Sequence, residues 1–353
     1  MGKQMSWMIY GANGYTGELI AREAVRQGHK PVLAGRNREK IDALAGELGL
    51  EARVFGLDDE LVLAKHITGC GLVLHCAGPF SATAAPMMAA CLRARAHYLD
   101  ITGEISVFEH SRSLNDRARA VGVVVCPGVG FDVIPTDCVA AALKEALPDA
   151  THLALGFDSR SSMSPGTAKT SIEGMAQGGK VRRDGRIVPV PLAYRIRRID
   201  FGDGEKPAMT IPWGDISTAY HTTGIPNIEV FIPGSMGMIR SAKLANLFRP
   251  LLGIALVQKL LKARIGKTVT GPDDSKRAEQ GTWVWGEARN ASGDCRVIRV
   301  HTANVYSLTI HGALAVVAHL LQARPVGGAY TPAKLMGAEL VTRLPGSSDF
   351  QRS

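Results

Sequence analysis

Three glycines at intervals of three residues, Gly11, Gly14 and Gly17, constrain this chain more than any other feature. They follow a short apolar run, residues 7–10, and precede a segment with helical apolar spacing. A glycine turn between a strand and a helix lets the backbone approach a pyrophosphate, whose charge the helix N-terminus favours. The turn therefore predicts a dinucleotide site formed by Gly11, Ala12, Asn13, Gly14, Tyr15, Thr16 and Gly17.

Beyond this turn, short apolar runs alternate with amphipathic stretches up to about residue 135. Strands that alternate with helices at this pitch indicate right-handed βαβ units and a parallel sheet. We therefore expect an α/β fold whose N-terminal Rossmann domain covers residues 1–147. This domain would end with a helix from Pro135 to Leu147.

From Thr151 onward the strands become longer and alternate between apolar and polar residues, as in residues 228–232. Such strands are typical of a sheet with one wet face. Residues 290–294 have the composition of a hairpin loop. We expect a second, α+β domain with a mixed or antiparallel sheet over residues 148–310, and a C-terminal helical segment, 311–353, packed back on the Rossmann domain.

The end of the second predicted strand carries the residues that distinguish NADP from NAD. NAD-binding folds place an Asp or Glu there to hold the ribose diol. Here the sequence reads AGRNR at 34–38, and the first carboxylate is Glu39. A guanidinium binds a 2′-phosphate through paired hydrogen bonds, whereas a carboxylate repels it. We therefore predict NADP, with Arg36 and Asn37 among its contacts and Arg38 facing solvent.

Composition narrows the classes of partner. The 353 residues carry a formal net charge of +9, which favours anionic ligands or partners. No basic block, zinc-finger or RNP-type pattern points to nucleic acid. The six cysteines form no CxxC pair, and no HExxH or Cys/His cluster occurs, so we expect reduced thiols and no metal site. The N-terminal residues leave no room for a signal peptide before the first strand, which favours a cytoplasmic protein.

Eight segments spread over nearly the whole chain form an ordered set of motifs. They are GANGYTG at 11–17, AGR at 34–36, HCAGPF at 75–80, HYLDITGE at 97–104, GVGFDVIPTD at 128–137, GTAKTSIEG at 166–174, TGIPNIEVF at 223–231 and YTPAKLMG at 330–337. Taken in this order, they resemble the saccharopine dehydrogenase-like oxidoreductases, and in particular the subgroup of trans-acting enoyl reductases. The resemblance implies an NADP-binding Rossmann domain, a mixed-sheet second domain, and hydride transfer from NADPH to a C=N or C=C bond.

The resemblance also implies a place for the nicotinamide. It puts Ala77, Gly78, Pro79 and Phe80 along that side of the cofactor. This place agrees with the general rule that parallel sheets bind ligands at the carboxyl ends of their strands. One departure from the family is Gly56, which stands where related chains often carry an Asp near adenine.

Hydride transfer requires a group that protonates or supports the developing anion. Asp100, at the end of a predicted strand, and Asp132, in the loop after the next strand, are two candidates for catalysis. Tyr220, in the second domain, is a third candidate as a proton donor. Each residue has a plainer interpretation. An Asp in a loop often caps a helix or forms a turn, and Tyr220 fits a half-buried strand position.

Residues 238–267 combine leucines at helical spacing with seven Lys or Arg residues and no acid. Pro250 divides this region into two predicted helices, and the region is too short and too charged to span a bilayer. Three interpretations stay open. The region is a solvated basic face over a packed core, a docking site for an acidic acyl-carrier protein, or a contact with an anionic membrane surface. Self-association into a homo-oligomer also stays open.

The sequence leaves three functions to distinguish. The first is NADPH-dependent reduction of the C=C bond of an enoyl substrate, acyl or polyketide-like, that is either a small molecule or carrier-bound. The second is reduction of a C=N bond, as in saccharopine reductases. The third is a dinucleotide-sensing or lipid-surface protein without turnover.

Overall fold

In the computed structural model, residues 5–159, 178–248, 281–323 and 325–353 are described. The chain divides into two compact units, the first made of Met1–Ile134 and Leu308–Met336, the second of Pro135–Ser307 and Gly337–Ser353. The predicted boundary at residue 147 lies one helix later than this division. The C-terminal segment contributes to both units. The motif at 166–174 lies outside the described residues, and so does most of the basic region, from residue 249 onward.

The first unit contains a parallel sheet of seven strands within the described residues. Numbered in chain order, these are β1 Trp7–Tyr10, β2 Val32–Gly35, β3 Ala52–Val54, β4 Leu72–His75, β5 His97–Asp100, β6 Val124–Cys126 and β15 Gly328–Ala329. Their order across the sheet is β15-β6-β5-β4-β1-β2-β3. Strands β1 to β6 thus have the strand order of a Rossmann domain, and the predicted Rossmann fold is confirmed.

Helices join and cover these strands. They are α1 Tyr15–Arg26, α2 Arg38–Leu48, α3 Glu60–Ile67, α4 Phe80–Ala94, α5 Ile105–Ser113, α6 Asn115–Val121, α10 Val305–Gln322 and α11 Pro332–Met336. Leu114, which lies between α5 and α6, separates these two helices. Of the described helices, only α10 is long and apolar enough to cross a membrane, and half of it is buried inside the protein, as in a core helix.

Strands β1, β2 and β4 are buried along their whole length, which explains why they are almost continuously apolar. Their side chains form one core with the surrounding helices, in which Met8, Tyr10, Val73 and Tyr98 are at most 1% exposed. Burying each large side chain stabilises the fold by about 1.5–3 kcal/mol. This core holds the carboxyl ends of the strands, and the loops that follow them, at fixed positions.

The second unit contains a mixed sheet. Its strands are β7 His152–Ser159, β8 Gly179–Arg183, β9 Arg186–Val190, β10 Ile196–Asp200, β11 Glu205–Ile211, β12 Asn227–Pro233, β13 Thr282–Arg289, β14 Cys295–Thr302 and β16 Gln351–Arg352. They are ordered β10-β11-β12-β7-β13-β14-β16, with β8 beside β12 and β9. Every described pair is antiparallel except β12 with β7. The predicted second domain with a mixed sheet is confirmed.

The helices of the second unit are α7 Ile134–Ala146, α8 Asp215–Thr223 and α9 Met236–Ala245, the last followed by a 3₁₀ turn, Asn246–Phe248; a second 3₁₀ turn spans Ala338–Arg343. Helix α7 packs on the sheet at Gly286. A β-carbon there would lie 2.5 Å from Val139 and 2.7 Å from Leu143. This contact explains why the helix predicted at Pro135–Leu147 belongs with the second sheet. The predicted hairpin loop at 290–294 joins β13 to β14, where Asn290 accepts a hydrogen bond from the Asp294 N–H at 2.8 Å.

Candidate dinucleotide site

The glycine turn lies between the end of β1 and the start of α1. The N–H groups of Gly11 and Ala12 both donate to the carbonyl oxygen of Ala34, at 2.7 and 3.2 Å, which ties the turn to β2. Gly11 has a φ of +82°, a conformation that side-chain-bearing residues rarely adopt. The Gly14 N–H donates back to the Gly11 carbonyl at 3.0 Å and closes the turn.

The three glycines are needed for different reasons. A β-carbon on Gly11 would lie 2.8 Å from the β-carbon of Ala77, and one on Gly17 would overlap the Gly11 carbonyl oxygen. The protein's own packing therefore requires both. Gly14 has a φ of −85°, and a β-carbon there would meet only the Gly11 carbonyl oxygen, at 3.3 Å. The packing of the protein does not require a glycine at position 14. The missing side chain leaves space there for a ligand.

Helix α1 begins after Gly14 with no side-chain cap. The first-turn N–H groups of a helix have no partner four residues back, and they bind anions well because the helix dipole adds to the hydrogen bonds. An open glycine next to such a helix start fits a pyrophosphate. The residues present therefore fit the phosphate end of a dinucleotide.

The end of β2 presents Arg36 to solvent. Burial raises the pKa of the Tyr10 hydroxyl to about 12, and the positive charge of Arg36 opposes this rise. Within the described ranges, no hydrogen bond or ion pair engages the Arg36 side chain. Arg38 differs, since its side chain is 75% exposed and lies 3.8 Å from Asp42. Arg36 thus has its guanidinium available for a 2′-phosphate, and this role stays a prediction.

Two asparagines lie on either side of this strand end. The side-chain oxygen of Asn37 accepts a hydrogen bond from the Lys40 N–H at 3.0 Å and so caps α2. The side-chain oxygen of Asn13 lies against Gly35, where a β-carbon would stand 2.8 Å away. Asn37 therefore has a structural use in addition to its predicted cofactor contact.

A chain of hydrogen bonds holds the loop after β4. The Thr83 hydroxyl donates to the carbonyl oxygens of Ala77, at 2.7 Å, or Pro79, at 3.0 Å. The His75 Nε2 lies 2.9 Å from the same hydroxyl oxygen. Because the hydroxyl has one proton and gives it to a carbonyl, His75 must donate through Nε2. Complete burial lowers the pKa of His75 to about 3, so the imidazole is neutral. Gly78 and Pro79, in the loop that these bonds anchor, are exposed.

Glu104 fixes the other side of this loop. Its carboxylate accepts hydrogen bonds from the N–H groups of Phe80, at 2.9 Å, and Ser81, at 2.8 Å. Glu104 thereby caps the start of α4 from the loop after β5. An anionic cap here occupies the anion-binding end of α4, so the phosphates are expected at α1. Neither Glu104 nor the His75–Thr83 pair was predicted as part of the site, although Glu104 and His75 belong to the motif segments 97–104 and 75–80.

Asp100 ends β5 and is completely buried. Its carboxylate accepts hydrogen bonds from the Tyr98 hydroxyl at 2.7 Å and from the N–H groups of Thr102 and Gly128 at 3.0 and 2.8 Å. Burial raises its pKa to about 6, although these three bonds oppose the rise. The bonds join the loops after β5 and β6, so Asp100 has a positioning role in the structure. Its catalytic role stays a prediction.

Asp132 lies in the loop after β6 and is only partly buried. A β-carbon on Gly103 would stand 2.9 Å from its Oδ2, so the carboxylate lies against the loop after β5. Thr309 of α10 holds this loop by accepting a hydrogen bond from the Phe131 N–H at 3.0 Å. Burial raises the pKa of Asp132 to about 6. Asp132 is therefore partly exposed and has a pKa close to neutrality. Its catalytic role stays a prediction.

Tyr220 belongs to the second unit and lies on helix α8, so the strand position expected for it is wrong. This helix begins after Gly214 and ends before Gly224. Its threonines are β-branched residues, which favour strands, so the local sequence does not predict a helix here. The Arg182 guanidinium stacks over the Tyr220 ring at 4.1 Å and donates to the carbonyl oxygen of Gly185 at 2.6 Å. Tyr220 thus helps to hold β8 against α8. Its role as a proton donor stays a prediction.

Comparisons with known proteins agree with this geometry. Residues 7–126 match the family model of the saccharopine dehydrogenase NADP-binding domain. A trans-acting enoyl reductase of Mycobacterium tuberculosis is 28% identical over 211 residues, which are 56% of this chain and 50% of that protein. The saccharopine dehydrogenase-like oxidoreductase of Homo sapiens is 27% identical over 220 residues, 52% and 50% of the two chains. The chain spans about half the length of the curated relatives it matches.

A solved structure extends the likeness in fold to the whole chain. Apo saccharopine dehydrogenase (L-Glu forming) from Saccharomyces cerevisiae superposes with a TM-score of 0.65 at 12% identity, covering 99% of this chain and 100% of that one. The Rossmann sheet, the glycine turn and the match over residues 7–126 define a dinucleotide-binding domain that is similar to the NADP-binding domain of saccharopine dehydrogenases. The chain is thus similar to the saccharopine dehydrogenase-like oxidoreductases, in sequence over its N-terminal half and in fold over its whole length. The predicted family resemblance, enzyme class and NADP agree with these comparisons.

Proposed function

We propose that this protein is an NADPH-dependent reductase of an enoyl C=C bond in an acyl or polyketide-like substrate, either small or carrier-bound. The contact between Gly11 and Ala77 carries the proposal. It puts the open glycine turn directly beside the loop of Ala77 to Phe80, so one surface can receive both the pyrophosphate and the nicotinamide of a dinucleotide. The name of the mycobacterial relatives, trans-acting enoyl reductase, supports the choice of a C=C bond.

When bound, NADPH supplies a hydride to one carbon of the double bond, and a proton must reach the neighbouring carbon. Asp132 is our candidate for the proton donor, because its pKa of about 6 leaves about a tenth of it protonated at pH 7. A general acid works best when its pKa lies close to the working pH. Asp100, with all three of its donors buried, would keep the loops after β5 and β6 in register for this step.

Reduction of a C=N bond is the second candidate, and one observation favours it. The loops after β4, β5 and β6 contain three carboxyl groups, Asp100, Glu104 and Asp132, and residues 77–80, 100–104 and 128–132 contain no Lys, Arg or His. Carboxylates at this edge of the sheet stabilise the positive charge of a protonated imine. They give less support to the negative charge of an enolate. The two reactions therefore require opposite electrostatics, which makes them separable by experiment.

Oxidation of NADPH, followed by nicotinamide absorbance, tests the proposal with a panel of enoyl thioesters and a panel of imines. We expect turnover of enoyl thioesters, and a loss of at least about a hundredfold in kcat for Asp132→Asn, the scale of general acid catalysis. Asp116→Asn, an exposed aspartate of α6, is the matched control and should turn over normally.

Two results would count against the enoyl assignment, and a third would count only against the role of Asp132. Turnover of imines alone would replace it with C=N reduction. NADPH binding without turnover of either panel would favour a dinucleotide sensor. Enoyl turnover that is unchanged in Asp132→Asn would keep the reaction and remove Asp132 as its acid.

A further inference from the structure

The segment from Met236 to Phe248 exposes an unusual amount of apolar surface. Nine large hydrophobic side chains are exposed in the described parts of the chain, and five of them lie in this segment: Met236, Met238, Leu244, Leu247 and Phe248. Single exposed hydrophobic residues are ordinary on soluble proteins, whereas a contiguous cluster marks an interaction surface. The cluster lies far along the chain from the dinucleotide loops and has no part in the proposed reduction.

One side of this segment is firmly attached to the second unit. Ile239 is buried and packs with Ala193 and Met209. The Asn246 side chain accepts a hydrogen bond from the Leu192 N–H at 2.8 Å and donates to the Leu192 carbonyl at 3.2 Å. The helix is therefore held in a fixed orientation, and its exposed side is a defined surface.

The other side carries the apolar cluster. Leu244, Leu247 and Phe248 are 57%, 73% and 52% exposed. Residues three and four apart share a face of a helix, so these three side chains project together. Ile239, which faces the protein, lies five residues before Leu244 and so on the opposite face. A surface helix with one face packed would normally have a polar outer face.

Charge identifies the kind of partner. Arg240 and Lys243 are exposed on the same segment, and Arg240 lies one turn before Leu244. The sequence contains no Asp or Glu from residue 230 to residue 272. Basic residues beside an exposed apolar face are the features of helices that lie at an anionic membrane surface. An acidic carrier protein would complement the two cations but would leave the apolar face unexplained.

We propose that residues 236–248 dock on an anionic lipid surface. Leu244, Leu247 and Phe248 enter the boundary between headgroups and acyl chains, and Arg240 and Lys243 contact the headgroup phosphates. Such docking brings the protein to a lipid surface through this segment alone. It is independent of the proposed reduction, because it uses no residue of the dinucleotide loops.

Vesicle flotation of the full chain tests this proposal. We expect binding to phosphatidylcholine vesicles that contain phosphatidylglycerol, weaker binding to phosphatidylcholine alone, and weakening by salt, which screens charges beyond about 10 Å at 0.1 M. The triple variant Leu244→Gln, Leu247→Gln, Phe248→Gln should lower the partition coefficient at least about tenfold, since each large side chain loses burial. Arg240→Gln with Lys243→Gln should remove the preference for anionic vesicles.

The matched control is Leu61→Gln with Val62→Gln, two hydrophobic side chains of α3 that are 56% and 44% exposed. This variant should bind vesicles as the wild type does, and every variant should keep its NADPH affinity if it is folded. Absence of vesicle binding by the wild type, or wild-type binding by the triple variant, would overturn the proposal. Binding of an acidic acyl-carrier protein that depends on Arg240 and Lys243, with no binding to vesicles, would also overturn it and identify a carrier dock.

Discussion

Gly11 faces Ala77 so closely that a β-carbon on Gly11 would stand 2.8 Å from the β-carbon of Ala77. The contact arises because β1 and β4 are parallel neighbours, with Tyr10 paired to His75 at their carboxyl ends. The loops that follow these two strands are therefore in direct contact through Gly11 and Ala77. One loop is predicted to hold the pyrophosphate and the other the nicotinamide, so their contact determines how the two parts of the site are spaced.

The glycine turn predicts two kinds of variant. Gly14→Val should lower NADPH affinity about a hundredfold or more, because it costs at least two charge-assisted hydrogen bonds of about 1.5–3 kcal/mol each. Its stability should fall by only about 1 kcal/mol, since the position is extended and only the helix start is affected. Gly11→Ala should instead destabilise the fold by about 2–5 kcal/mol, from the positive φ and the close contact with Ala77. Fluorescence titration with NADPH and denaturant unfolding distinguish these outcomes, and normal binding by Gly14→Val would show that the turn is structural only.

The preference for NADPH over NADH should depend on Arg36. Arg36→Ala should lose about 1.5–3 kcal/mol of NADPH binding, roughly a tenfold to hundredfold loss, and leave NADH affinity nearly unchanged. Arg38→Ala is the matched control, because that arginine is exposed and lies near Asp42. Titration of both variants with both coenzymes measures the difference. Equal affinities for the two coenzymes in the wild type would contradict the role given to Arg36.

Asp100 can be tested as a positioning residue by comparing two substitutions. Asp100→Asn keeps an oxygen for the N–H groups of Thr102 and Gly128, and its amide can donate to the Tyr98 oxygen, so the fold should stay intact and kcat should change little. Asp100→Ala leaves three buried donors without an acceptor and should cost about 3 kcal/mol or more. A loss of about a hundredfold in kcat for Asp100→Asn with an intact fold would instead favour a catalytic role.

The pH dependence of stability gives an independent check on Asp100. Its pKa is raised to about 6 in the folded protein, against about 3.9 in an unfolded chain. A raised carboxyl pKa means that the stabilising contribution is complete below about pH 4 and is lost as the pH rises through 6, about 2–3 kcal/mol in total. The Asp100→Asn variant has no carboxyl group at this position and therefore does not lose this stability as the pH rises. Its stability relative to the wild type should therefore increase between pH 4 and pH 8 in urea unfolding, and a constant difference would contradict the raised pKa.

The hydroxyl of Thr83 should matter for the nicotinamide loop. Thr83→Val leaves the buried His75 Nε2 without an acceptor, which costs about 1–3 kcal/mol, and frees the carbonyls of Ala77 and Pro79. We expect kcat to fall more than NADPH affinity, because the pyrophosphate turn is untouched. Thr83→Ser retains the hydroxyl and should restore most of the activity. Equal loss of kcat in the Val and Ser variants would show that the methyl group, and not the hydrogen bond, is needed.

Much of the first unit was predictable because its signals are local. The glycine turn, the alternation of strands and helices, and Arg36 in place of an acid can be read from short stretches of sequence. The position of Tyr220 was harder to predict, since β-branched threonines favour a strand while the surrounding contacts stabilise helix α8. The same applies to α7, whose apolar pattern identifies a helix but not the sheet on which it packs.

Local patterns were sufficient to predict the order of the elements, the Rossmann turn and NADP, because each depends on residues that are neighbours along the chain. Which loops lie together at one edge of the sheet is evident only from the folded chain. The Glu104 bond to Phe80 joins residues 24 apart, the Asp100 bond to Gly128 joins residues 28 apart, and the Phe131 bond to Thr309 joins residues 178 apart. Such contacts follow from the side-by-side packing of strand ends, which no local pattern encodes. The same packing buries Asp100 completely and leaves Asp132 partly exposed, although Asp100 ends one strand and Asp132 lies in the loop after the next.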